Sequence, residues 1–254
     1  MNPMLVDSRL EIPLRVFSAA ATPLPAVQLL SNGRYHVMIT NAGGGYSRWK
    51  DIEVTRWRED STCDNWGSFC YLRDVANSAF WSTTYQPALY PSAAYEAKFS
   101  ESCAIFRCSE RGLDAHTEIA VSPEDDIEVR RIGITNRSGA RKVIDLTSYT
   151  EVVLALAASD AAHPAFSNLF VQTEIVCEQQ AILCNRRSGA ADHASLWMFH
   201  LFVPSESFPG DISYETDRMR FIGRGNTLVN PQAMLNVAAL SGSGRRDSVD
   251  GRQY

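Results

Sequence analysis

Three consecutive glycines, Gly43 to Gly45, lead into Tyr46, Ser47, Arg48, Trp49 and Asp51, and a second burst follows at Arg56, Trp57, Arg58, Glu59 and Asp60. Aromatic planes, forked guanidinium donors and carboxylates this close to a glycine turn suit a hydroxyl-rich ligand. A sugar has apolar ring faces that stack on aromatic rings, and its rim of hydroxyls needs donors and acceptors together. The candidate substrate-binding residues are therefore Tyr46, Ser47, Arg48, Trp49, Asp51, Arg56, Trp57 and Arg58. Trp66 is assigned to the core, and Trp49 or Trp57 is the better ligand candidate. A plainer reading stands beside this one. The glycines could serve a tight turn or bulge, and Arg48, Arg56 and Arg58 could pair with Asp51, Glu59 and Asp60 in exposed salt bridges worth roughly 0–1 kcal/mol each.

Other constellations carry less chemistry. His116-Thr117-Glu118 lacks the Pro-Cys-x-x-Cys that a zinc deaminase needs, and on a strand His116 and Glu118 simply share a face. His163 lies near Asp160, with no nucleophile-elbow motif to complete a triad. His200 reads as a satisfied face or core histidine. Glu124, Asp125 and Asp126 are adjacent in a Pro-initiated turn, whereas catalytic carboxyls of a glycosidase flank a bond. No catalytic residue and no metal ligand is assigned.

The elements that must position these groups read as strands. Tyr35–Asn41, Phe69–Asp74 and Phe80–Thr83 read as strands, and alternation marks Ala94–Ser100, Cys103–Glu110, Leu113–Ser122 and Ile127–Asn136. The turn at Asn77-Ser78 predicts a hairpin, and the turn at Asn136-Arg137-Ser138-Gly139 predicts another, with Lys142–Val153 as its second arm. Leu169–Ile175, Gln180–Cys184, Leu196–Val203 and Ile212–Glu215 complete the set, and Met219–Ile222 is left open between helix and strand. No helical period lasts three turns, so the fold class is an all-β sandwich of antiparallel sheets.

Composition bounds the rest. The chain has 254 residues, 45% hydrophobic and 21% charged, as in a globular protein. A net charge of −5 argues against a nucleic-acid surface, and no apolar run approaches the roughly 20 residues of a membrane helix. The six cysteines form no C-x-x-C pair. They read as reduced thiols of a cytoplasmic protein. Residues 1–22 are expected to be an extended N-terminal arm, 23–240 the folded domain and 241–254 a disordered tail.

Several motifs in order resemble one family. They are Leu30-Ser31-Asn32-Gly33-Arg34-Tyr35, Thr40-Asn41-Ala42-Gly43-Gly44-Gly45-Tyr46-Ser47 and Thr55-Arg56-Trp57-Arg58-Glu59-Asp60. Val121-Ser122-Pro123-Glu124-Asp125-Asp126, His163-Pro164-Ala165-Phe166-Ser167-Asn168-Leu169-Phe170-Val171 and Arg220-Phe221-Ile222-Gly223-Arg224-Gly225 follow. The chain resembles the N-terminal β-domain of glycoside hydrolase family 94, the cellobiose-phosphorylase group, and above all the phosphorylase-like region of cyclic β-1,2-glucan synthases. The resemblance implies a galactose-mutarotase-like β-supersandwich of two large antiparallel sheets, with Gly43 to Gly45 in an active-site loop. It implies an inverting, phosphate-dependent reaction on a β-glucan oligosaccharide, with inorganic phosphate as co-substrate of the full-length enzyme and no other cofactor. The general acid would sit in an (α/α)6 barrel that this chain lacks, so the expectation is a truncated piece, inert alone. Its partners would be that missing helical catalytic domain or a second copy in a homodimer, with no direct membrane insertion, although full-length relatives can be associated with the inner membrane. A free-standing carbohydrate-binding module and a mutarotase-like sugar enzyme are the alternatives.

Overall fold

The computed structural model describes residues 14–60, 62–187, 196–205, 211–236 and 240–242. Residues 1–13 of the expected arm and 243–254 of the expected tail lie outside the described residues. Sixteen strands and four short helices are described, and no helix among them exceeds six residues or could cross a membrane.

The strands fall into four antiparallel sheets rather than the expected two. The first has the order β1 (Arg15–Phe17), β8 (Ala94–Phe99), β9 (Cys103–Glu110), β10 (Leu113–Val121) and β11 (Glu128–Asn136). The second runs β13 (Val152–Leu156), β5 (Ile52–Thr55), β4 (Gly45–Trp49), β3 (Tyr35–Thr40) and β2 (Val27–Ser31). The third is β12 (Ile144–Tyr149), β6 (Phe69–Asp74) and β7 (Phe80–Ser82). The fourth is β14 (Val171–Val176), β15 (Ala181–Arg186) and β16 (Trp197–Leu201).

Period-two patterning explains the principal core. On β2 and β3, Leu30, Val37 and Ile39 point to one side, where they meet Ala97, Phe99, Phe106 and Ile119 of the first sheet. All seven are buried. A second cluster joins Leu72 and Trp81 of the third sheet to Leu113 and Ala115 of β10. A third packs Tyr71 under α3 (Arg218–Ile222) and α4 (Gln232–Leu235) through Phe221, Ile222 and Met234. Asp217 caps α3 by accepting from Met219 N at 2.8 Å, which settles Met219–Ile222 as helical.

The hairpin at Asn77-Ser78 forms as β6 and β7. The second expected hairpin does not. β11 pairs with β10 and ends the first sheet, while β12 leaves to pair with β6 in full register from Ile144↔Asp74 to Tyr149↔Phe69. The segment expected as one long arm, Lys142–Val153, is thus divided between the third sheet and β13 of the second. Ile212–Glu215 forms no strand. α1 (Ala157–Ala162) and α2 (Pro164–Leu169) precede the strand expected from Leu169, which begins at Val171, with Pro164 placed where a helix start tolerates proline.

Two edges differ in character. β11 mixes exposed Val129 with Arg131 and Gly133. β16 places Trp197, Phe199 and Leu201 on one exposed face, each about half accessible, with Val203 just beyond.

All six cysteines are free thiols. Burial pushes the Cys70 thiol up to about 11 and those of Cys108 and Cys184 up to about 12. Cys63 and Cys177 are exposed. An aromatic disulfide reagent at pH 8 is therefore expected to label Cys63 and Cys177 rapidly in the folded chain, and Cys70, Cys108 and Cys184 only after unfolding. Rapid native labelling of the buried three, read by mass spectrometry, would contradict this packing.

Candidate functional site

The Gly43–Gly45 turn is buried, and close packing accounts for each glycine. A Cβ on Gly43 would lie 2.4 Å from Thr84, on Gly44 2.0 Å from the Asp64 carbonyl oxygen, and on Gly45 1.8 Å from the Met38 carbonyl oxygen. The neighbouring polar groups lock the turn. Thr40 Oγ1 donates to Asp64 Oδ2 at 2.6 Å, Gln86 Nε2 donates to Asp64 Oδ1 at 2.7 Å, and Gly45 N donates to Trp66 O at 2.7 Å. Buried Asn41 ties the same turn to the lead-in through Ala19 O, Ala20 O and Ala26 N. Trp66, expected in the core, is half-buried.

From this anchor β4 runs outward, and its alternation divides the candidate residues between two faces. Ser47 and Trp49 point into the sandwich. Ser47 Oγ donates to Glu128 Oε2 at 2.5 Å, and Trp49 Nε1 donates to Asp126 Oδ2 at 2.6 Å. The bond from Trp49, helped by Arg34, holds the Asp126 carboxyl below the ordinary range. Asn32 and Arg34 reach the same acidic turn through Ser122 O, Asp125 O and Glu124 O. Two motif clusters some ninety residues apart in sequence are thereby clasped together. The turn Glu124–Asp126 is exposed, as expected of a solvated turn.

Tyr46 and Arg48 take the opposite face. The Tyr46 and Trp57 rings meet edge-on at 5.8 Å, and the Arg48 guanidinium lies 5.3 Å from the centre of the Tyr46 ring. Arg48 stands opposite Glu53 at 3.7 Å. Burial raises the Glu53 carboxyl against the pull of Arg48. Asp51 is exposed in the two-residue turn between β4 and β5. Partly exposed Tyr46, Arg48 and Trp57 thus form one aromatic and cationic strip, and Arg58, also partly exposed, follows Trp57 with its guanidinium turned to Asp160.

The arginines find different acids from those expected. Arg56 is 5% exposed and pairs with Glu151 and with Asp160, the latter through Nε to Oδ2 at 3.0 Å and Nη2 to Oδ1 at 2.9 Å. Its Nη2 also donates to Asn168 Oδ1 at 2.6 Å. Arg58 pairs with Asp160 too. Asp160 has no exposed surface. Burial alone would raise its carboxyl, but hydrogen bonds from Arg56, Ser167 and Arg58 hold it at about 2. None of the acids adjacent in sequence takes part. The sequence reading placed Asp160 in a loop with His163 and missed its pairing, because its partners lie 102 and 104 residues away.

A cleft of about 860 Å³ lies between β12, the fourth sheet and residues 211–217. Glu151 and Asn168 stand in its wall, so Arg56 sits directly behind it. Ser148 Oγ and His200 Nε2 meet across it at 2.8 Å, joining the third sheet to the fourth. Burial, aided by the positive charge of Arg130, lowers His200, which leaves the imidazole neutral at pH 7. Periodicity offered no sign of this cleft, since its walls come from stretches as far apart in the chain as Arg73, 141–152, 168–184, 200–202, 211–221 and 233–240. His116 and Glu118 do share a face of β10, as expected, and among the described residues no group of three or more His, Cys, Asp or Glu could hold a metal.

The model of the family described as "Glycosyl hydrolase 94, supersandwich domain" matches residues 10–249. Cyclic beta-(1,2)-glucan synthase NdvB of Rhizobium meliloti is 36% identical over 215 residues, covering 85% of this chain and 8% of that protein. N,N'-diacetylchitobiose phosphorylase of Vibrio proteolyticus is 25% identical over 233 residues, 86% of this chain and 27% of that protein. Solabiose phosphorylase of Paenibacillus borealis is 22% identical over 228 residues, 88% of this chain and 28% of that protein. The chain therefore spans less than a third of the length of any of these relatives.

Proposed function

The chain belongs to the family of glycosyl hydrolase 94 supersandwich domains, and on that premise we propose that it is a carbohydrate-binding scaffold domain of a β-glucan phosphorylase or cyclic β-1,2-glucan synthase. The observation that carries this reading is the 36% identity to the glucan synthase across 85% of the chain. The finer assignment belongs to the same proposal: a galactose-mutarotase-like supersandwich whose two leaves are each divided into smaller hydrogen-bonded sheets.

The geometry supports a division of labour. The buried glycine turn fixes β4, and the Arg56–Asp160–Arg58 pairing fixes the segment after β5. Between them they hold Tyr46, Arg48, Trp57 and Arg58 as the glycan-facing strip. Ser47, Trp49 and Arg56 support it from beneath, and Asp51 borders it. Phosphorolysis in the whole enzyme would use inorganic phosphate as the attacking group on the anomeric carbon, opposite a leaving oxygen protonated by an acid. That acid is assigned to another part of the enzyme, the helical barrel that the family resemblance implies. A helical catalytic domain would bring it, and a second copy of the chain is the other partner expected.

Titration calorimetry with β-1,2-linked gluco-oligosaccharides tests the binding role. Saturable heat is expected from the parent, and the double substitution Tyr46→Ala/Trp57→Ala is expected to weaken binding about tenfold, on the scale of ~1.4 kcal/mol for two aromatic contacts. No heat from the parent, or an unchanged affinity in the double variant, would refute it. Incubation of the chain with the same oligosaccharides and phosphate is expected to give no sugar 1-phosphate, and turnover would refute the inert-scaffold reading.

A further inference from the structure

The cleft between β12, the fourth sheet and residues 211–217 shares no surface residue with the Tyr46–Arg58 strip. Its volume, about 860 Å³, falls within the range of roughly 300–1,000 Å³ typical of small-molecule sites. Its walls combine apolar and polar surface. The Tyr149 and Phe221 rings stack at 5.0 Å in its lining, which half-buried Phe202 and Tyr214 also join.

The polar groups are held in place before any ligand arrives. Tyr149 donates to Glu151 Oε2 at 3.2 Å, and Arg218 Nε lies 3.4 Å from the same oxygen. Arg56 grips the other oxygen of Glu151 from behind the wall. The Ser148–His200 bond sets the imidazole, which burial keeps neutral. Fixed acceptors and donors of this kind bind hydroxyls with little ordering cost.

Charge decides the ligand class. Four basic and five acidic side chains line the cleft, and Arg73 and Arg218 are each paired with an acid of the same wall. There is no cationic excess to select a phosphate or a carboxylate. Aromatic surface with balanced, fixed polar groups fits a neutral polyol.

We propose that this cleft is a second saccharide site, distinct from the strip, that takes a short neutral β-linked gluco-oligosaccharide. The proposal rests on the carbohydrate-binding reading of the chain, and the relative's glucan chemistry sets the first ligand to try.

The test is NMR on the isotopically labelled 254-residue chain, following the His200 imidazole, the Tyr214 ring and the Trp57 indole. The β-1,2-linked glucose disaccharide is titrated in, with inorganic phosphate in a separate arm. Saturable shifts of His200 and Tyr214 with the disaccharide are expected, and none with phosphate. Ser213→Trp, at an exposed position on the rim, is expected to abolish those shifts. Tyr214→Ala is expected to weaken binding at least tenfold. Unreactive Cys70, Cys108 and Cys184 certify that each variant is folded. Shifts confined to Trp57, with His200 and Tyr214 still, would overturn the cleft proposal and leave carbohydrate binding intact. Cleft shifts with phosphate alone would overturn the neutral-ligand assignment, and no shift at any of the three would overturn both readings.

Discussion

Replacing Asp160 by asparagine is expected to cost about 3–5 kcal/mol, because it leaves Arg56 and Arg58 without the carboxylate they share in the interior. On a chain of this size that corresponds to a fall in melting temperature of roughly 6–20 °C. The parent should also show an acid limb set by this group. Asp160 is held at about 2 against an ordinary value of 3.8, so the folded state favours its charged form. Its contribution is complete above about pH 4 and is lost as the pH falls through 2. The asparagine variant should lack that limb while remaining less stable at neutral pH. A loss under about 1 kcal/mol at pH 7 would show that the arginines find other partners, Glu151 foremost.

The second large effect belongs to the glycine turn. Gly44→Ala places a methyl 2.0 Å from the Asp64 carbonyl and 3.3 Å from that of Trp66. Both obstacles are backbone, so no side chain can rotate away. A destabilisation of about 3 kcal/mol or more is expected, the upper end of overpacking costs. Gly33→Ala is the control. Its Cβ meets nothing within 4 Å, and only its φ of +88° resists substitution, at about 1–2 kcal/mol. Urea unfolding of the two variants measures the difference. Equal costs would mean that the turn opens to admit the methyl, contrary to its buried geometry.

What the amino-acid order made legible was local. Strict alternation announced β9 and β10, and the turn at Asn77-Ser78 announced the β6–β7 hairpin. Pairing over long distances was hidden. Nothing near Ile144 indicates that it lies opposite Asp74, or that Val152 lies opposite Thr55. Two sheets were what the family resemblance implied, and local patterning could not show that the strands divide into four. The short helices α1 and α2 escaped notice because six-residue helices carry less than two turns of periodicity. The same limit applies to the site. Eight residues crowded together in sequence invited a single binding surface, yet strand geometry sends Ser47 and Trp49 inward and Tyr46 and Arg48 outward. Arg56 looked like a ligand group because its true partners, Glu151 and Asp160, are distant along the chain.

The half-exposed row Trp197, Phe199 and Leu201 sits on a border strand whose outer side meets no other strand among the described residues. Such a border is a template for further pairing, and here it is greasy as well. Concentrated preparations of the chain will therefore tend to stick to one another along β16. Particles seen by light scattering should grow with protein concentration and shrink when a lysine replaces Phe199. A sizing profile taken without that control would report the adhesiveness of this ribbon as well as any specific assembly.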